Sequence, residues 1–526
     1  MIHLHGDLQM TDEIRKVNRS IEDMLIKGIN LSKEVKKDEK YCETCKVPMW
    51  ISFFFDGTGN NFGNDFAPKE NIIKHSNVAA LFAAHLNDPK KLIYKYYYEG
   101  IGTPFSFRGY YKPVYNPRTG IETGPTGWDD SQNSVGQKKN MANGGGMTQR
   151  LQKAIYQFVE RMEQQLKYKT ITTVYISAFG FSRGATEARI FMNWIKSAPN
   201  VSSKGGKLYY RGQTEVKLKF LGIFDTVESI GISKTGGNNN RELYKVKIDS
   251  DIEQTVHLVA SIELRKTFPL TVTGNLAETI GQLRKQEIRV YPGAHSNVGG
   301  GYAKNEQRKY RGLANITLKK MHECTERSGL KFLSLAQMKN HKGWETTYKY
   351  MFCDTSEAQN ELDKFLAHAK VKSNSVKDHI NAHLALYQQW IRDGLYSQYI
   401  NNNIKYLEKL RSRNSTDESN LDIFRNIEAV LNVELAEKIR PYSLNMELKA
   451  YKTPNDVKLF IERYVCDSLG GFSERISGSR AVKGAFFGGI GVGYAMNRYG
   501  YILVDLNRAD YFTSRGLINS SDLSRG

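Results

Sequence analysis

Short apolar runs alternate along this chain with amphipathic stretches, and the alternation predicts strands set between helices. Trp50 to Phe55, in "PMWISFFFDGTGNN", reads as a buried strand stopped by a turn of Asp-Gly-Thr-Gly-Asn. "KLIYKYYYEGIGT" predicts a second strand over 92–98, again ending at glycines. Leu151, Ile155, Phe158, Val159 and Met162 share one face of a helix predicted over 148–168. "ITTVYISAFGF" predicts a strand and "RGATEARIFMNWIKSA" the helix after it. "EVKLKFLGIFDTV" reads as a strand ending at Asp225, and "QEIRVYPGAHSNVGGGY" as one ending near Tyr291. A helix follows over 311–328. Strands alternating with helices predict an α/β fold with a mostly parallel central sheet.

The flanking regions read differently. Residues 1–47 are polar, with helix-like spacing at Ile14, Val17, Ile21 and Leu25, and predict an N-terminal helical extension. Residues 100–147 are rich in glycine, aromatics and turns; a loop this long inside a compact unit is usually functional or mobile. Strand signals fade between 331 and 460, where "NELDKFLAHAKV", "VKDHINAHLALYQQWIRDGLYSQYI" and "LDIFRNIEAVLNVELAEKI" are amphipathic helix patterns. The expected organisation is therefore an extension over 1–47, a catalytic α/β unit over 48–330, a helical region over 331–460 and a C-terminal segment over 461–526 that returns to the core. The helical region is expected to act as a lid or to bind membrane or a partner. The tail holds "KGAFFGGIGVGYAM" at 483–496, which is too short to span a bilayer. It reads either as a packed segment or as one that dips into a lipid surface.

Composition narrows the class. Hydrophobic residues make up 40% and charged residues 25% of 526 residues, as expected for a globular protein. The net charge of +20 suits an anionic partner, either nucleic acid or an acidic membrane surface. No nucleic-acid-binding motif is present, so no nucleic acid is expected as a partner. Five cysteines, odd in number and sparse, argue against a disulfide framework. Cys42-x-x-Cys45 is half of a zinc ribbon without a second half, and reads as two thiols in a loop before the first strand. The N-terminus lacks the apolar core of a signal peptide, so synthesis in the cytoplasm is expected, with any export by a route other than Sec.

The candidate chemistry centres on Gly180-Phe181-Ser182-Arg183-Gly184, which fits G-x-S-x-G between a predicted strand and a predicted helix. A serine hydroxyl is a poor nucleophile unless a base removes its proton. In α/β hydrolases the partners follow in the order serine, acid, histidine. Asp225 comes next, at the end of an apolar strand, where parallel sheets place their sites. His295 follows on a glycine-rich loop. His257, in "QTVHLVASIE", is the rival, but its setting reads as a packed strand or helix position. His379 and His383 have the i, i+4 spacing of metal ligands, yet lack the intervening Glu of a zincin and a third ligand. They read as solvated or half-buried, and no metal is expected. The amide of Arg183 is one expected oxyanion donor. Gly57 or Thr58, in the glycine turn after the first strand, is expected to supply the other, with Asp56 accepting amides to brace that loop.

These residues resemble a known family. "FFFDGTGNN", "YYYEGIGT", "GFSRGATEAR", "GIFDTVESIG", "HLVASIELRKTF" and "YPGAHSNVGGGY" occur in the same order as in a family of α/β hydrolases whose best-known members are type VI secretion lipase effectors of the first family. The resemblance covers roughly 48–305, and "RYVCDSLGGF" at 463–472 resembles a further family segment. Two positions depart: Asn297 stands where the family often has Asp, and Cys466-Asp467-Ser468 where it often has "HDS". The resemblance implies an α/β-hydrolase fold, a triad of Ser182, Asp225 and His295, and no cofactor. It implies phospholipase A1 or A2 activity on membrane glycerophospholipids, as an antibacterial toxin acting in the target-cell periplasm. It also implies two protein partners, a VgrG-type secretion spike protein and an immunity lipoprotein. A cytoplasmic carboxylesterase on the same fold and a basic nucleic-acid binder are the competing readings.

Overall fold

The computed structural model describes residues 42–468, apart from 69–71, 104, 108–113, 116–121, 124–127, 130–145, 229–244, 266–267, 274–280, 283–284, 411–413 and 435–452; beyond 468 it describes 493–497, 500–504 and 517–518. The expected N-terminal helix lies outside the described residues, as does most of 483–496.

The first half of the chain builds a sheet. Its elements in order are β1 (Cys42–Phe55), α1 (Asn77–Ala84), β2 (Ile93–Tyr98), α2 (Met147–Leu166), β3 (Lys169–Phe181) and α3 (Arg183–Ile195). A hairpin of β4 (Val201–Lys204) and β5 (Lys207–Tyr210) leads into β6 (Thr214–Phe224). Then come β7 (Thr255–Ala260), β8 (Gly281–Gln282), β9 (Gln286–Tyr291), the short α4 (His295–Gly299) and α5 (Gly312–Arg327). The nine strands lie in the order β8-β9-β7-β6-β3-β1-β2, with β5 pairing β6 and β4 pairing β5. The five central pairs from β9 to β2 run parallel, and only β8 and the hairpin are antiparallel. This is the expected α/β architecture.

The strands are apolar throughout because both faces of the sheet are covered. Ile51, Phe53 and Phe55 of β1 pack on one face with Leu151, Ile155 and Phe158 of α2 and Ile190 and Phe191 of α3. Phe54 points to the other face. There its ring stacks on Phe179 at 4.8 Å, and Phe332 lies 5.7 Å from Phe179. β1 is longer than the apolar run suggests. It begins at Cys42, so Cys42 and Cys45 lie within the strand rather than in a loop before it.

Helices follow: α6 (Leu335–Asn340), α7 (Glu345–Met351), α8 (Ser356–His368), α9 (Val376–Arg392), α10 (Leu395–Lys409), α11 (Ser415–Glu434) and α12 (Asn455–Tyr464). A single hydrophobic cluster runs from Phe54, Phe179 and Phe220 on the sheet, through Leu313 and Met321 of α5, to Phe365, Trp390, Phe424 and Phe460. The helices thus extend one core. A polar contact adds to it: His383 of α9 is buried, with Nδ1 3.0 Å from Ser261 Oγ just past β7. The expected solvated or half-buried setting therefore fails for His383, because α9 packs on the sheet edge at β9.

Phe179 is fully buried where the sheet meets these helices. Phe179→Ala is expected to destabilise the fold by about 3–5 kcal/mol, as in other large-to-small aromatic truncations. Chemical denaturation followed by circular dichroism measures it.

Candidate active site

Ser182 caps α3 with φ 59 and ψ −124, a left-handed conformation that a residue other than glycine adopts at a cost of about 1–3 kcal/mol. The flanking glycines explain how the turn closes. A Cβ on Gly180 would meet the Gly184 carbonyl oxygen at 2.2 Å. A Cβ on Gly184 would meet the carbonyl oxygens of Phe55 and Asp56 at 2.3 and 2.4 Å. The turn thus presses β3, α3 and the end of β1 backbone to backbone. The Ser182 amide donates to the Phe224 carbonyl at 3.1 Å, and the Ser182 carbonyl accepts from Val227 at 3.2 Å. Ser182 therefore sits against the end of β6, where Asp225 is the next residue.

Asp225 also has positive φ, at 41, and is fully buried. Its Oδ1 accepts from the Ala260 amide at 2.9 Å. Its Oδ2 lies 2.6 Å from His295 Nδ1, so the ring carries its proton on Nδ1 and donates it to the carboxylate. His295 Nε2 is buried and has no hydrogen-bond partner among the described residues, the Ser182 hydroxyl included. Burial pushes the imidazole below its ordinary 6.5, against the opposing pull of Asp225. Two rings flank it: Phe181 at 4.5 Å between centroids and Phe268, edge on, at 5.2 Å. The rival His257 is buried within β7, with Nε2 3.3 Å from the Thr226 amide.

The loop after β1 reaches the same place. Phe181, the residue before the serine, packs so closely that a Cβ on Gly57 or Gly299 would meet its ring at 2.5 and 2.0 Å. Asp56 Oδ1 accepts from the Gly57 amide at 2.8 Å, and Oδ2 accepts from the Tyr97 hydroxyl at 2.5 Å. Burial raises the Asp56 carboxyl to about 6, although its hydrogen bonds oppose this. The Gly57 N–H is thus engaged by Asp56 rather than open to a ligand. Thr58 differs: its hydroxyl is buried without a partner among the described residues.

Three further features shape the site. Glu263 Oε2 accepts from the His295 amide at 3.2 Å, while both its oxygens bind the Arg265 guanidinium at 2.7 and 2.9 Å. That guanidinium stacks on Phe268 at 3.6 Å. Asn297 Oδ1 accepts from Ala294 and Cys466. Glu187, one turn into α3, has both carboxylate oxygens buried without hydrogen bonds among the described residues, and burial raises its pKa to about 8. The rule that selected Asp225, a carboxylate past an apolar strand, also fits Glu263 after "VHLVA". Nothing in the sequence marks Glu187. Among the described residues, no group of three His, Cys, Asp or Glu side chains is placed to hold a metal, and no helix is long and apolar enough to cross a membrane.

The strand–serine–helix turn on a parallel sheet defines an α/β-hydrolase fold. The catalytic-domain model of the type VI secretion phospholipase effectors, Tle1-like, matches residues 51–205 and 202–324, and the chain belongs to that family. No curated protein matches the chain. The solved structures similar to it include two that follow. One is an uncharacterised protein from Pseudomonas aeruginosa, 20% identical, covering 89% of this chain and 70% of that one with a TM-score of 0.47. The other is a Tle1 effector bound to the VgrG spike of the type VI secretion system, 16% identical, covering 67% and 88%, with a TM-score of 0.37.

Two predictions follow from the geometry at the turn. Gly184→Ala is expected to destabilise the fold, because its Cβ would meet the Phe55 and Asp56 carbonyl oxygens at 2.3 and 2.4 Å, and chemical denaturation measures the loss. Glu187 binds a proton more tightly when folded, about 8 against 4.5, so stability falls as pH rises between those values. Glu187→Gln flattens that slope in thermal melts taken from pH 5 to 8.

Proposed function

We propose that this protein is a serine-dependent phospholipase of type A1 or A2, with Ser182 as nucleophile, His295 as general base and Asp225 as its orienting acid. The observation that carries the reading is the Asp225–His295 hydrogen bond, with Nε2 left buried and without a partner among the described residues, beside a strained serine turn. Family membership supports the phospholipid substrate and the type VI effector role.

The chemistry follows from the bonds present. His295 holds its proton on Nδ1 by donating to Asp225, which leaves Nε2 as the lone-pair acceptor. Nε2 takes the Ser182 proton as Oγ attacks the acyl carbonyl. The oxyanion is received by backbone amides, Arg183 from α3 and Thr58 from the loop after β1, in place of the Gly57 amide that Asp56 engages. His295 then protonates the leaving glycerol oxygen. A water, deprotonated by the same Nε2, cleaves the acyl-enzyme and releases the fatty acid. Because burial keeps the imidazole neutral below its ordinary 6.5, activity persists through that pH and falls only at more acid values.

On this reading the protein is a toxin that damages target-cell membranes from the periplasm. Its proposed protein partners are a VgrG-type spike for delivery and an immunity lipoprotein in the producer. The structure of a Tle1 effector on the VgrG spike motivates the first.

Ser182→Ala is expected to abolish release of fatty acid and lysophospholipid from phosphatidylglycerol and phosphatidylethanolamine vesicles, by at least about a thousandfold, read by mass spectrometry. Equal turnover by wild type and variant would remove Ser182 from the mechanism. Wild-type activity on soluble short-chain esters with none on vesicles would make the protein a carboxylesterase.

A further inference from the structure

The turn that carries His295 is fastened to a segment far along the chain. Asn297 Oδ1 accepts two backbone N–H bonds, from Ala294 at 3.1 Å and from Cys466 at 3.0 Å. Ala294 immediately precedes His295, so one of the two bonds acts directly on the turn. Asn297 and Cys466 are both about 4% exposed or less, and a Cβ on Gly293 would meet Asn297 Cβ at 2.8 Å. The side chain is thus wedged between the turn and the strap.

The strap, residues 466–468, is itself held on several sides. Gln307 pairs with the backbone of Asp467, accepting from its N–H at 2.7 Å and donating to its carbonyl at 2.8 Å. The Gln307 amide is held by Asn420 of α11 at 2.7 Å. The Tyr396 hydroxyl of α10 donates to the Asp467 carboxylate. Ser468 Oγ accepts from the Leu264 amide at 3.4 Å, next to Glu263, whose carboxylate takes the His295 amide. The helices therefore reach the histidine turn through this strap from both sides.

We propose that Asn297 is a positioning residue for the hydrolysis reaction: it locks the His295 turn to the 466–468 strap, and so makes the reach of Nε2 toward Ser182 depend on the docking of the helical region. The inference rests on the triad reading above. Both donors to Asn297 are N–H groups, so what the position needs is an acceptor oxygen. A carboxylate supplies one equally well, and a charged acceptor strengthens such bonds.

The test uses the full chain and phosphatidylglycerol in mixed micelles, with Ser182→Ala as reference. Asn297→Ala is expected to lower kcat about tenfold to a hundredfold while KM stays within about twofold, the signature of a displaced catalytic group. The acid limb of its pH profile moves up toward the ordinary imidazole range, because a loosened turn hydrates the ring. Asn297→Asp keeps wild-type kcat. Gln307→Ala, which frees the strap, lowers kcat in the same way but less. The double variant falls no further than Asn297→Ala alone, because the two act through one link.

Wild-type kcat in Asn297→Ala with an inactive Ser182→Ala overturns this inference and leaves the triad standing. So does an Asn297→Asp that falls as far as the alanine variant, or full additivity in the double variant. An active Ser182→Ala removes the triad reading and this inference with it. If Asn297→Ala fails to fold by circular dichroism, the decision passes to the other two single variants. A tenfold loss in Asn297→Asp, or an unchanged Gln307→Ala, then overturns it.

Discussion

The site depends on a contact that only missing side chains allow. Gly180, Gly184, Gly57 and Gly299 surround Phe181 and the serine turn, and at each a Cβ would lie within 2.5 Å of a carbonyl oxygen or of the Phe181 ring. Three segments distant in sequence, at 55–57, 180–184 and 299, therefore meet backbone to backbone or backbone to ring. Van der Waals contact of this kind falls off over a fraction of an ångström, so the segments cannot slide independently. The left-handed φ of Ser182 persists because its neighbours on every side are fixed.

Electrostatics at the site follows from burial first and from partners second. Three carboxylates within one region are held in different ways. Asp225 accepts from an amide and from an imidazole. Glu263 is bound on both oxygens by one guanidinium. Glu187 has no hydrogen bond to its carboxylate among the described residues and is pushed toward the neutral acid despite the nearby Arg150 and Arg183. A low-dielectric interior penalises each charge unless dipoles or counter-charges are already aimed at it, and the partners present decide which groups remain ionised.

The sheet was legible because parallel strands covered on both faces must be apolar, and "FLGIF" and "VYISAFGF" have no other reading at that length. The placement of the candidate residues Ser182, Asp225 and His295 was legible for the same reason: each follows such a run, at a strand end. Other features were hidden. α1 is buried on most sides, so it has little amphipathic contrast to detect. His383 looked like a surface residue because its helix pattern does not reveal that the sheet edge covers it. The engagement of the Gly57 amide by Asp56 turns on loop conformation, which glycine spacing does not specify. The Asn297 bond to Cys466 joins residues remote in sequence and the burial of Glu187 depends on tertiary packing, and local pattern is blind to both.

The Asn297–Cys466 bond also has a temporal side. A ribosome releases the strands, the serine turn and the histidine turn long before it delivers residue 466, whose amide closes the fastening. Domains fold as units as the chain emerges, so the sheet can form while the strap is still unmade. On the proposed reading the nascent chain carries Ser182, Asp225 and His295 while the histidine turn is still unfastened, so hydrolytic competence waits for residue 466. For a cell that makes such a protein among its own membranes, the order of residues along the chain is itself a delay.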